Sequence, residues 1–183
     1  WIPLLSIPRV LNVSPASPLL NSPYLSPDVK SVKIWSNLLS KGRRTLVGLN
    51  WQGNPNTETD NLKGRSLPLE HFAPLANLTN VDFISLQKGY GSDQLDKCSF
   101  RHKFLDCQTR IEETFDFADV AAIASNCDVV ITTDTALAHL SGAIGVPTWL
   151  MLHKVPDWRW GLSGTSTFWY PSIHIFRQKY SEN

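Results

Sequence analysis

Asp128-Val-Val-Ile-Thr-Thr133, continuing into Asp134-Thr-Ala-Leu-Ala-His139 and, beyond it, Gly145-Val-Pro-Thr-Trp-Leu-Met-Leu152, is the stretch on which the fold class turns. A β-branched apolar run passes through a polar break into a segment rich in small residues, and a second apolar run follows Gly145. Runs that stay apolar without alternating suit strands covered on both faces. Two such strands joined by a helix make a parallel unit. Asp134 is an N-cap residue type and Gly145 a C-terminal stop, so the intervening helix is expected to span them, with Leu137, Leu140 and Ile144 against the sheet.

The same alternation extends upstream. Thr45-Leu-Val-Gly-Leu-Asn-Trp51 reads as the first strand, Val81-Asp-Phe-Ile-Ser-Leu-Gln87 as the second and Lys103-Phe-Leu-Asp-Cys107 as the third. Strands four and five are then 128–133 and 146–152. Helices are expected over 68–78 and, capped by Asp116, through Val120 to Ala124, with a weak turn near 92–96. The fold class that follows is α/β: a Rossmann-like, doubly wound parallel sheet over residues 45–178. Residues 1–44 differ in texture, since half of the twelve prolines stand at positions 3, 8, 15, 18, 23 and 27. They read as a connector from a missing N-terminal domain, ending in a helix over 28–39 with Val29, Val32, Trp35, Leu38 and Leu39 on one face. Residues 179–183 read as a tail.

Composition narrows the function classes. The chain has 183 residues, 42% hydrophobic and 18% charged, with a net charge of +1 and a pI near 7.9. No global positive field draws in nucleic acid, and no apolar run approaches the ~20 residues of a membrane span. Lys41-Gly-Arg-Arg44 reads as a solvated turn. Cys98, Cys107 and Cys127 are odd in number, without CxxC spacing, and read as thiols of a cytoplasmic protein. There is no Asp-x-Asp, no His/Cys cluster of ligand spacing and no GxGxxG, so neither a metal nor a dinucleotide cofactor is expected.

In open α/β sheets ligands bind beyond the carboxyl ends of the strands, which directs attention to the loops there. The helix opening at Asp134 offers free N–H groups and the positive end of its dipole to an anion, with Thr135 and Ala136 at its start and His139 on the face of Thr135, one turn up. The first loop carries Gln52, Gly53 and Asn54, then Lys63 and Arg65, either of which could neutralise a phosphate. Gln87 and Lys88 follow the second strand and could pass over a base or ribose. Asp116 follows the third. Asp157, Trp158 and Arg159 form a Trp-rich loop that either packs on its own domain or faces a sugar or base. A plainer reading also stands: Asp134 caps, Thr135 is exposed and His139 is a satisfied core histidine.

Asp134-Thr-Ala-Leu-Ala-His139 resembles the Asp-Ser/Thr-Gly-Leu-x-His stretch of the ADP-heptose lipopolysaccharide heptosyltransferases. A longer series is similar to the glycosyltransferase-like domain of bacterial tetratricopeptide-repeat proteins. It comprises Trp51-Gln-Gly-Asn-Pro55, Arg65-Ser66, Ser85-Leu-Gln87, Asp116-Phe-Ala-Asp119, Asp134 to His139, Gly145-Val-Pro-Thr-Trp149, Pro156-Asp-Trp-Arg-Trp160, Trp169-Tyr-Pro171 and Phe176-Arg-Gln178. The resemblance implies a GT-B glycosyltransferase whose C-terminal half binds a nucleotide-diphosphate sugar without metal. Asp134, Thr135 and His139 would then fall at the diphosphate and Lys63 or Arg65 near the phosphates. It also implies a carboxylate base on the N-terminal half, so this chain should bind but not catalyse. Ala136 departs from the glycine of the heptosyltransferases, which leaves the donor sugar open. The alternative is a non-catalytic nucleotide-binding or protein-interaction module that keeps the fold.

Overall fold

A computed structural model of the chain describes residues 1–18, 23–39, 42, 44–58, 64–113 and 116–179. Five strands, β1 (Thr45–Asn50), β2 (Val81–Ser85), β3 (Val129–Thr133), β4 (Thr148–Leu152) and β5 (Ile173–Arg177), form one parallel sheet in the order β2-β1-β3-β4-β5. The helices are α1 (Ile7–Val10), α2 (Val29–Leu39), α3 (Gln108–Glu112), α4 (Phe117–Ala124) and α5 (Ala136–Ile144). Register is continuous: Val47 lies opposite both Phe83 and Val129, and Thr148 opposite Ile173.

Strand side chains alternate between faces, and the sheet is buried on both. On one side Leu46, Ile84 and Val130 meet Trp35 and Leu39 of α2, Ala122 and Ile123 of α4, and Leu137 of α5. On the other, Val47, Leu49, Phe83 and Ile131 meet Leu69, Phe72, Leu95 and Phe100. A third cluster joins Leu150, Ile173 and Ile175 to Trp160 and Ala138. Burial on both faces explains why the interior of β1, Leu46 to Leu49, is wholly apolar.

Three elements differ from the sequence reading. Residues 103–107 form no strand; Phe104 makes a single bridge to Phe83, and Leu105 N–H donates to the Phe83 carbonyl at 2.8 Å. A turn over Arg101–Lys103 precedes this bridge and α3 begins at Gln108, so pairing has no room to propagate. The fifth strand is instead Ile173–Arg177, beyond the last strand expected. Residues Leu69–Asn77 are a run of 3-10 turns and not an α-helix, because Pro74 inside them lacks the N–H that an α ladder needs.

The stretch read as connector is partly integral to the domain. Tyr24 and Leu25 N–H donate to the Ala143 carbonyl at 3.0 and 3.1 Å, and α2 packs along α4. The buried face of α2 is narrower than expected: Trp35 and Leu39 are buried, whereas Val29 and Leu38 are exposed. Arg44, read as part of a solvated turn, reaches Asp82 at 3.0 Å and the carbonyls of Thr79 and Val81.

Candidate functional site

Sheet order places the site. The chain runs from β1 to β2 on one side and then crosses to β3 on the other, so connections leave β1 and β3 in opposite directions. Such a switch point opens a crevice at the carboxyl edge. Here it is a cavity of about 530 Å³, walled by the loops after β1, β2 and β3, the first turns of α4 and α5, and Arg159.

Its floor is a buried polar network. Asn50 at the end of β1 accepts from Thr135 Oγ1 at 2.9 Å and lies 3.0 Å from Thr132 Oγ1, so one amide ties β1 to β3. Asn50 Nδ2 donates to Gln87 Oε1 at 2.9 Å, and that oxygen also accepts from the N–H groups of Trp51 and Gln52. Gln87 Nε2 in turn donates to the carbonyls of Gln52 and Tyr90. The Gln87 amide is thus engaged on all sides. It shapes the loops after β1 and β2 and has no bond left for a base or ribose, which revises the role expected of it.

The start of α5 corrects the expected cap. The helix begins at Ala136, and Thr135 occupies the N-cap position with φ −129° and ψ 174°. No side chain caps the helix, because Thr135 Oγ1 is turned to Asn50. Asp134 is buried and accepts from the Trp160 indole N–H at 2.9 Å, so its carboxylate locks the Trp-rich loop to the end of β3. The N–H groups of Ala136 and Leu137, in the first turn, have no partner within the helix. They stand beside the cavity, to which both residues contribute.

His139, one turn further, is held from two sides. The Trp160 ring stacks on it at 5.0 Å and 20°, and Nδ1 lies 3.0 Å from the Tyr170 hydroxyl. Burial lowers its pKa, helped by the nearby Arg159 charge. Burial and the Tyr24 hydroxyl push the Tyr170 phenol well above its usual range, so it keeps its proton. The result is a neutral imidazole with one nitrogen fixed, on the wall of the cavity.

The cavity also brings together Gln52, Gly53, Asn54, Arg65, Lys88, Asp116 and Arg159. Gly53 N–H donates to Ser66 Oγ, and Asn54 accepts from Asn56 N–H as the cap of a short turn. Arg65 reaches Thr57 at 3.4 Å, while its Nε is buried without a hydrogen-bond partner. Asp116 caps α4, accepting from the N–H groups of Ala118 and Asp119 at 3.0 Å. Arg159 Nε sits 3.2 Å from Asp157 Oδ1, an ion pair without hydrogen-bond alignment. Asp157 and Trp158 do not line the cavity: Asp157 caps the turn at Trp158–Trp160, and Trp158 is exposed, edge-on to Trp169. Lys63 lies outside the described residues. Sequence reading gave no role to Asn50, Tyr90 or Phe117. Asn50 had a signal, a single polar residue at the carboxyl end of an apolar strand; Tyr90 and Phe117 had none beyond lying in loops already singled out.

None of the three cysteines forms a disulfide, and burial pushes the Cys127 thiol up to about 12. Among the described residues no group of three or more His, Cys, Asp or Glu is arranged to hold a metal ion, and no helix is long and apolar enough to cross a membrane.

No family model matches the chain. Protein FlbA of Caulobacter vibrioides is 29% identical over 178 residues, covering 93% of this chain and 28% of that protein. Among solved structures, a glycosyl transferase family 9 protein from Veillonella parvula superposes with a TM-score of 0.57 at 13% identity, over 85% of this chain and 42% of that one. E. coli ADP-heptose LPS heptosyltransferase II superposes with a TM-score of 0.55 at 16% identity, over 90% of this chain and 48% of that one. The chain spans about a quarter of FlbA and less than half of each solved structure. Its α/β architecture, a five-stranded parallel sheet flanked by helices, is similar in fold to part of each of these two solved structures.

Proposed function

We propose that this chain is the donor-binding domain of a metal-independent GT-B glycosyltransferase, holding the diphosphate of a nucleotide sugar at the start of α5. The observation that carries the reading is the convergence at the switch point. The unpartnered N–H groups of Ala136 and Leu137, the fixed imidazole of His139 and the cations Arg65, Lys88 and Arg159 all face one cavity. Helix N-termini and guanidinium groups both favour phosphate oxygens. Leu86, Val120 and Phe117 supply apolar wall on the side toward α4, suited to a base. On this reading the carboxylate base that activates the acceptor lies in a second domain, and the chain alone does not turn over. The cellular setting is the cytoplasm, where nucleotide sugars are made.

The experiment is a thermal-shift panel of UDP, ADP and GDP beside their monophosphates, in EDTA. Ligand that binds only the native state raises the melting temperature by mass action. Diphosphates are expected to stabilise more than monophosphates, with no change on adding magnesium. Equal shifts from mono- and diphosphates, or binding that requires a divalent ion, would contradict the proposal. Ala136, where the heptosyltransferases carry glycine, favours a second reading in which the fold still binds nucleotide but no longer serves transfer; sugar transfer by the longer protein separates the two.

A further inference from the structure

A second cavity, about 570 Å³, opens on the same carboxyl edge of the sheet, over the ends of β4 and β5. It is divided from the first by one short piece of chain: Arg65 faces the switch-point cavity, and its neighbours Gly64 and Ser66 line the second. At its base is His153, the residue that follows β4. His153 is 93% buried (7% exposed), and neither ring nitrogen has a hydrogen-bond partner. A neutral imidazole carries one donor and one acceptor. Leaving both unpaired in the interior is costly, and such groups in folded proteins call for an explanation.

The surroundings restrict what could pair with it. Arg177, the cation on this wall, donates to the carbonyls of Trp160, Gly161, Ser163 and Gly164 at 2.6–3.1 Å. Its guanidinium is committed to holding the loop between β4 and β5, which leaves it little capacity for an anion. Met151, Leu67 and the half-exposed Phe176 ring make the remaining wall largely apolar. A ligand that fits has apolar faces, no charge, and an edge carrying groups that both donate and accept. A pyranose meets all three conditions: its C–H face covers an aromatic ring, and each hydroxyl can give and take a hydrogen bond.

We infer that this second cavity is a carbohydrate-binding pocket, with His153 as the residue that pairs with a sugar hydroxyl and Phe176 as the surface on which the ring rests. Resting on the proposed donor site, its role is to hold the acceptor sugar across the Gly64–Ser66 wall from the nucleotide. The geometry places the two ligands on one edge of the sheet, with a shared loop between them that each can sense.

The test uses histidine side-chain NMR spectra of the ¹⁵N-labelled chain, whose five histidines are assigned by substitution. Probes are a panel of methyl pyranosides of gluco, galacto, manno, rhamno and N-acetylglucosamine configuration, inorganic phosphate, and UDP, ADP and GDP. At least one pyranoside is expected to shift the His153 ring nitrogens and leave His139 unmoved. His153→Phe should weaken that pyranoside about tenfold, the worth of one hydrogen bond at a buried site. Phe176→Ala, on an exposed ring outside the buried core, serves as the second variant and should weaken the same sugar with the melting temperature nearly unchanged. His153 unmoved by every pyranoside, or moved as strongly by inorganic phosphate, overturns the inference. Nucleotides that leave His139 unmoved while a pyranoside shifts His153 would remove the donor site and the acceptor role, and leave the carbohydrate pocket standing.

Discussion

Asp134 shows how a residue type can be read correctly and its role misread. An aspartate before a helix in sequence is a cap candidate, and nothing local distinguishes it from one that looks the other way. The distinction comes from Trp160, 26 positions later, whose indole N–H needs an acceptor once buried. Asp134→Ala leaves that N–H unsatisfied, so a loss of about 1–3 kcal/mol in urea unfolding is expected, with a change in tryptophan fluorescence. Asp134→Asn keeps an acceptor and should lose less. Equal losses for both would assign the effect to charge. His139 adds a dependence on pH. Its folded pKa is lowered, so the unfolded chain binds a proton more readily in the window below the ordinary histidine value of about 6.5. Its contribution to stability is present above that value and falls as pH drops through the folded pKa. Urea midpoints measured from pH 7.5 down to 5.5 should therefore decline, and His139→Gln should flatten the decline.

At the scale of elements, the strand–helix–strand unit from 128 to 152 was legible because each part had its own signal: β-branched residues, small residues at helical spacing, and a glycine stop. Gly145 has φ +78°, and Pro23 packs where its side chain would stand. The error lay where signals were short. Lys103–Cys107 has apolar residues but no length, while Ile173-His-Ile-Phe-Arg177 alternates with period two and is the true edge strand, its His174 and Phe176 facing outward. Alternation marks a strand with one face open, and only a search for wholly apolar strands passes it over. The long excursion between β4 and β5 is what brings Trp160 and Tyr170 onto α5. Gly142 makes that approach possible, since a Cβ there would stand 2.5 Å from the Tyr170 ring. Gly142→Ala is expected to displace Tyr170, free the His139 ring and weaken nucleotide binding beyond what its stability loss explains. Tyr170→Phe, which removes the hydroxyl and leaves the packing, separates the two effects. Unchanged affinity in Tyr170→Phe would show that the hydroxyl does not orient His139.

Across the whole molecule, the order of strands matters more than any single motif. Loops after the first, second and third observed strands were each ambiguous in sequence, because Gly-Asn-Pro or Gln-Lys-Gly also mark ordinary turns. The sheet order β2-β1-β3 makes them neighbours, and a one-dimensional reading has no access to that order. The same topology separates Trp158 from the cavity and admits Arg159, though the two are adjacent in sequence. The chain covers less than half of each solved structure of similar fold, and on the proposed reading a second domain completes the cleft. The isolated chain is therefore expected to bind a nucleoside diphosphate without hydrolysing or transferring sugar from any donor. Turnover by this chain alone would move the catalytic carboxylate onto it, with Asp116, Asp119 and Asp157 the first to substitute.

The account's central claim is that the first turn of α5 receives a diphosphate, and a crystal structure of the chain with the nucleoside diphosphate that stabilises it most tests this directly. The β-phosphate is predicted within hydrogen-bond distance of the Ala136 and Leu137 N–H groups, with Arg65 or Arg159 on its other oxygens and the base toward Leu86 and Val120. A nucleotide bound elsewhere on the sheet edge, or bound at the switch point with its phosphates directed away from α5, would contradict it.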